Sequence, residues 1–279
     1  MCAAVPAVSY DQAGILGMPN SFSHAPMVWG FSDAPHNLRV SERTDSIHVI
    51  HYDLTVDITD FSGQQISGTA LLQVLVKCGT LSRLRLDLKL EADSVFVDGA
   101  RVSFAQEGDS LWISIPDAVV NDTLEVLVHY HGQPVHDDRW GGFYYAGQYA
   151  YNMGVAFQEV PHSYGRSWFP CVDDFRDKAT VSMHIRTQSG KMAVCGGLLT
   201  DSTLLGDGNR LWSWELSKPV PVYLFSVAVG PYQLYADTFH GKETVVPIAI
   251  YSQPAEASKV EASFAHLKDV LRMYKRLFG

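Results

Sequence analysis

The chain is 279 residues long, 47% hydrophobic and 18% charged, with a net charge of −9. That length and composition suit a globular chain with a substantial core, and the acidic balance sets nucleic acid aside as a partner. No apolar run approaches the roughly 18 residues that argue for a transmembrane helix, which leaves peptides, proteins or small molecules as partners.

Residues 1–40 are punctuated by Pro6, Gly14, Gly17, Pro19, Pro26, Gly30 and Pro35 and read as an irregular N-terminal extension. The opening MCAAVPAVSYDQAG lacks the basic start and apolar core of a signal peptide. The compartment is therefore cytoplasmic, or periplasmic or secreted if a signal has been removed. Cys2 as a lipid-bearing residue is outweighed by a plain terminal cysteine. The four cysteines, Cys2, Cys78, Cys171 and Cys195, show no Cys-x-x-Cys spacing. Free buried thiols are expected, rather than a cysteine-held zinc.

From Ile47 the pattern becomes that of strands. Ile50, Tyr52, Leu54, Val56 and Ile58 alternate with polar residues, and Gln64 to Val76 gives a second strand after the Ser62-Gly63 turn. Leu81–Leu90 places leucines on one face and Arg83, Arg85, Asp87 and Lys89 on the other. Short strands follow at Ser94–Val97, Arg101–Ala105, Ser110–Ile115 and Leu124–Tyr130, with Asp98-Gly99 as a tight turn. Successive antiparallel strands with frequent turns predict a sheet sandwich. After a central stretch, strands are expected at Ala179–Thr187, Lys191–Cys195, Arg210–Glu215, Tyr223–Val229, Gln233–Phe239 and Val245–Tyr251. Only the last segment looks helical: Pro254 and Glu256 suit a first turn, and Val260, Phe264, Leu267, Leu271, Tyr274 and Phe278 recur at spacings of three and four.

The sequence carries none of the common catalytic signatures. None of the eleven histidines is followed by Glu, so His-Glu-x-x-His is absent. His129, His131 and His136 cluster near Asp137 and Asp138, but nothing fixes a third ligand, and a solvated strand end outweighs a metal site. Gly-x-Ser-x-Gly is missing, and Ser163 and Ser167 have no framework that would activate them. Gly206-Asp207-Gly208 reads as a hairpin turn. Asp173-Asp174 suits salt bridging or loop capping better than acid–base chemistry, because neighbours on extended backbone point to opposite faces; Arg166 and Lys178 are candidate partners. Phe143, Tyr144, Tyr145, Tyr149 and Tyr151 read equally as the lining of a pocket for apolar side chains or as a β-hairpin whose aromatics cover a core, and opposite faces of one hairpin could serve both. Gln158 and Glu159 follow, an amide and a carboxylate suited to recognising a cation such as an α-amino group.

These residues carry a resemblance. Trp168-Phe169-Pro170-Cys171-Val172-Asp173-Asp174 with Lys178-Ala179 resembles the pattern (aromatic)-Pro-Cys-(aromatic)-Asp-(acid)-Pro-x-x-Lys-Ala. That pattern belongs to the N-terminal β domain of the aminopeptidase N-type, or gluzincin, zinc metallopeptidases. His51-Tyr52-Asp53-Leu54 with the Gly68 strand, Gly142-Phe143-Tyr144, and PVPVYLFSVAVG from Pro219 to Gly230 agree with it in order. Phe175 departs from it, standing where the family has Pro.

The resemblance implies a mainly β, saddle-shaped multi-sheet sandwich over 41–251. It implies that one C-terminal helix, 252–279, opens a thermolysin-like catalytic domain lying beyond this fragment. The implied function is to form one wall of the substrate cleft of a zinc aminopeptidase that removes N-terminal residues from peptides. Zinc and the catalytic residues would then sit in the missing domain, leaving the fragment itself without cofactor and inactive; its partners would be peptide substrate and its own catalytic domain. An ungapped match puts the family's amine-binding Gln or Glu at Pro161. A shift of two residues puts Glu159 in that role, with Gln158 as the alternate. The rival expectations are a non-enzymatic interaction scaffold of the same family and a free-standing β-sandwich module binding carbohydrate or protein.

Overall fold

The computed structural model describes residues 45–241 and 245–278; the expected 1–40 extension, Cys2 included, lies outside them. The strand pattern begins where the sequence places it. β1 (Ile47–Asp60) and β2 (Gln65–Val76) form a hairpin, its turn held by the Asp60 carboxylate, which accepts from Gly63 N–H at 2.8 Å and Ser62 Oγ–H at 2.9 Å. Both Val49 and Tyr52 are fully buried while Ile50 is exposed. The alternation slips there because a bulge separates Val49 from His51 in the pairing with β2.

β3 (Thr80–Asp87), β4 (Glu91–Val97), β5 (Ala100–Val102), β6 (Phe104–Glu107), β7 (Ser110–Val119) and β8 (Thr123–Gly132) follow. The β4–β5 turn uses Asp98 and Gly99, both at positive φ, as the tightest hairpins require. β3 ends at Asp87, short of the leucine alternation. Backbone bonds from Leu88 N–H to Asp109 O, 2.8 Å, and from Lys89 N–H to Arg166 O, 2.8 Å, turn the chain away.

β9 (Gly142–Ala146) and β10 (Tyr149–Met153) are the aromatic hairpin. Beyond it come β11 (Lys178–Thr187), β12 (Met192–Cys195), β13 (Leu198–Leu204), β14 (Arg210–Pro221), β15 (Val227–Gly230), β16 (Gln233–His240) and β17 (Val245–Ser252). β13 has no counterpart in the expected elements, and β14 runs on to Pro221. The expected strand from Tyr223 is a 3-10 turn, Val222–Leu224, before β15. The C-terminal helix is broken. A 3-10 segment, Pro254–Lys259, leads into α1 (Val260–Ser263) and then α2 (Leu267–Phe278).

The large sheet has eight strands in the order β13-β14-β11-β1-β2-β8-β4-β5, with β1 and β11 parallel. That pair departs from the antiparallel succession expected from the sequence. A four-stranded sheet (β12-β15-β10-β9), a three-stranded sheet (β3-β7-β6) and the β16–β17 hairpin complete the set. The segment Tyr164–Val172 runs between the sheets. Trp168, Phe169, Cys171 and Val172 are fully buried. Phe169 packs against Phe225 and Tyr52 at centroid separations of 5.9 Å each, and Tyr52 Oη accepts from Val172 N–H at 3.1 Å. Paired backbone bonds between Asp87 and Cys171, 2.7 and 3.0 Å, fasten this corner to the end of β3.

Candidate functional site

Gln158 and Glu159 lie on the loop between β10 and the buried corner. Two devices fix that loop. The buried Asp137 carboxylate accepts from Arg139 N–H at 2.8 Å, Trp140 N–H at 3.1 Å and Gln158 N–H at 2.6 Å. Burial pushes that carboxyl upward, but the three backbone donors outweigh it and hold it below the usual range. Gly141 supplies the second device. It sits at φ 114°, and a Cβ there would lie 1.7 Å from Val155 O, so the 139–141 turn and the 155–158 strap approach as only glycine permits. Phe157 N–H then donates to Trp140 O at 3.2 Å.

Glu159 meets three side chains. Its Oε1 accepts from Lys89 Nζ at 2.9 Å and Tyr164 Oη at 3.2 Å, and its Oε2 from Arg166 Nη2 at 2.9 Å. The Glu159 side chain keeps 27% of its surface exposed, Lys89 19% and Arg166 4%. Burial raises the Glu159 carboxyl, but the hydrogen bond and charge of Lys89, followed by those of Arg166, more than offset it and hold the group below its ordinary value. Burial alone would lower Lys89; the bond to Glu159 and the charges of Tyr164, Asp109 and Glu159 leave it raised. Burial pushes Tyr164 up to about 12, with Lys89 acting against the shift and Glu159 reinforcing it. Glu159 is therefore an ionised carboxylate at neutral pH.

Arg166 ties this carboxylate to a second one. Its Nη1 donates to Asp173 Oδ2 at 2.7 Å and Ser163 O at 2.6 Å, and its Nε to Asp109 Oδ2 at 3.3 Å. Asp173 also accepts from Ser163 Oγ–H, and from the backbone of Gly165 and Arg166 at 3.2 Å each. The expected Arg166 partnership is present. Asp174 bonds Arg176, at 3.3 Å, instead of Lys178, which is exposed on β11. Ser163 and Ser167 are buried with structural bonds, Ser167 donating to Tyr164 O at 2.7 Å.

The remaining candidates separate. His131 Nδ1 lies 2.9 Å from Asp93 Oδ1, His129 packs edge-on to Phe96, and His136 stacks on Tyr144 at 4.9 Å. In the aromatic hairpin Phe143 is buried in the core, while Tyr144 and Tyr151, paired across β9 and β10, stack at 5.4 Å on the opposite face. Gln158 is exposed, its backbone alone fixed by Asp137. The sequence does not single out Lys89, Asp109 or Tyr164 as site residues, and it places Asp137 only beside the histidine cluster. Lys89 is 70 residues from Glu159, and its only signal is its place on the polar side of a leucine alternation.

The model of the Peptidase M1 N-terminal domain matches residues 48–224. The chain belongs to that family. The chain is 22% identical over 231 residues to Aminopeptidase M1 of Arabidopsis thaliana, a match covering 74% of this chain and 26% of that protein. It is 27% identical over 136 residues to Transcription initiation factor TFIID subunit 2 of Drosophila melanogaster, 48% of this chain and 10% of that one. Among solved structures it shares its fold with the M1 zinc metallopeptidase of Deinococcus radiodurans, at TM-score 0.66 and 23% identity over 73% of this chain and 47% of that one. A two-domain M1 zinc metallopeptidase variant bound to L-arginine gives TM-score 0.67 and 24% identity over 75% and 49%. The chain thus spans about half the length of these structures and about a quarter or less of the curated relatives. Its solved neighbours are zinc enzymes by name, yet among the described residues no three His, Cys, Asp or Glu side chains converge as metal ligands. The described residues do not fit a zinc ion.

Proposed function

We propose that this domain walls one side of the peptide cleft of a zinc aminopeptidase, and that Glu159 accepts the N-terminal ammonium of the substrate, with Gln158 as the alternate. The observation that carries this reading is Glu159 itself. It is an ionised, part-exposed carboxylate on a loop braced by Asp137 and Gly141, and its Oε2 accepts one donor, from Arg166. A carboxylate oxygen takes two, so one charge-assisted bond remains on offer. In this reading zinc and the general base belong to the rest of the whole enzyme, 41–251 is the β domain, and 252–279 opens a helical catalytic domain.

The test uses the product of the complete reading frame. Glu159→Gln raises KM for aminoacyl anilides roughly tenfold or more, the scale of a hydrogen bond to a charged group, with a smaller change in kcat. An unchanged KM removes Glu159 from the role, and Gln158→Ala becomes the next measurement. The 279-residue chain alone is expected to hold no catalytic zinc and to turn over no anilide. Stoichiometric zinc together with turnover would refute that part.

A second reading, a non-enzymatic interaction scaffold of the same family, draws support from two observations. Glu159 is already engaged by two cations, and one relative is named as a transcription factor subunit. Stoichiometric zinc in the complete protein would overturn it.

A further inference from the structure

We propose that Lys89 is a built-in occupant of the amine site, an internal competitor that a substrate ammonium displaces from Glu159 and that Asp109 then retains. The inference rests on the reading of Glu159 as the amine acceptor. Lys89 presents to Glu159 the same group that a peptide N-terminus would bring, a primary ammonium with three donor hydrogens. Its Nζ stands 2.9 Å from Oε1, and with the Tyr164 hydroxyl at 3.2 Å that oxygen is filled. The open position on Oε2 lets a substrate amine approach; to bridge both oxygens it takes the position Lys89 holds on Oε1.

The two cations on Glu159 are not equally exchangeable. Arg166 is buried, 4% exposed, and its guanidinium is fixed by Asp173 and Ser163 O as well. Removing it from Glu159 means breaking a planar, multiply bonded fork. Lys89 is a flexible chain with a compact charged end. Its backbone is fastened to Arg166 O at 2.8 Å, so the ammonium swings from a fixed root. A second carboxylate is already within reach, with Asp109 Oδ2 3.3 Å from Nζ. Exchange therefore leaves no ion unpaired. Before it, Glu159 faces Lys89 and Arg166; afterwards it faces the substrate ammonium and Arg166, while Lys89 stays on Asp109. The Tyr164 ring, 5.3 Å from Nζ, gives the displaced ammonium a second favourable surface.

This arrangement predicts opposite responses from two substitutions that each remove an ion-pair partner. Lys89→Met removes the competitor and keeps the apolar stem, so KM for free-amine anilides falls roughly two- to fivefold, the scale of a part-exposed pair. Asp109→Asn removes the retaining carboxylate, holds Lys89 more firmly on Glu159, and raises KM by a similar factor. A purely structural role for Lys89 moves both variants the same way. Lys89→Gln substitutes if the Met variant does not fold. Calorimetric titration of the full chain with L-leucinamide provides a readout without turnover, with tighter binding by the Lys89 variant expected. If Glu159→Gln raises KM but Lys89→Met raises it too or leaves it unchanged, the displacement idea falls alone. If Glu159→Gln leaves KM unchanged, the amine-site reading falls and takes this one with it.

Discussion

Of the three carboxylates that Arg166 meets, Asp173 and Glu159 are the closest, and the contrast between these two separates architecture from chemistry. Asp173 is 1% exposed and receives Ser163, the backbone of Gly165 and Arg166, and the guanidinium. Its acceptor capacity is spent inside the corner that joins the sheets. Glu159 is 27% exposed and shares its cations with Asp109 and Asp173. A saturated buried carboxylate fixes a fold, because its removal strands a charge. A part-exposed one with acceptor capacity left is where a ligand can enter. The same arginine thus anchors both carboxylates, and only the outer one keeps acceptor capacity that a ligand can use.

The contrast can be broken most directly at its inner end. Asp173→Ala leaves the Arg166 guanidinium buried without its main counter-charge, and about 3–5 kcal/mol of stability is expected to be lost in urea unfolding. Gly141→Ala comes next: a side chain at φ 114°, with Val155 O in its path, is expected to cost at least about 2 kcal/mol. It should also disturb the Glu159 loop more than the sheets, seen as faster amide exchange at 155–160 than in β1. Glu159→Gln is expected to cost less than about 1 kcal/mol, since its pairs are part-exposed, and so to separate function from fold.

The smallest effect concerns pH. The Glu159 carboxyl is held below its unfolded value. Its contribution to stability is therefore fully present above that unfolded value and is lost as pH falls through the folded one. The stability gap between the native chain and Glu159→Gln should begin to narrow as pH falls below about 4.3, the ordinary glutamate value, and close at lower pH. A gap that widened in acid would mean the carboxylate is not the stabilised species.

The strands with one buried face were legible in the sequence. β1, β2 and β11 alternate because core and solvent impose a period of two. β13 was not, because Leu198, Leu199 and Leu204 are all exposed on an edge strand, where nothing enforces alternation. The slip at Ile50 was hidden for a related reason: a bulge is a backbone event, and an apolar residue on either side of it reads as continuing the pattern. The pairing of Asp173 with Arg166 was readable because the partners lie seven residues apart. Lys89 reaches Glu159, and Asp109 reaches Lys89, only through the turn after β3 and the Asp87–Cys171 bridge. No local spacing encodes that, so the sequence pointed to the carboxylate and not to the cation beside it.

The parallel pairing of β1 with β11 also bears on how the chain is made. His51 lies beside Thr180, 129 residues later. At ribosomal rates of about 5–20 residues per second, β1 waits roughly 6–26 seconds for that neighbour. During that interval β2 can cover one flank, while the other stays an open template beside Tyr52, Leu54, Val56 and Ile58. The yield of soluble protein should therefore depend on what shields that flank during synthesis, and slow translation between β2 and β11 should be costlier than slow translation after β11.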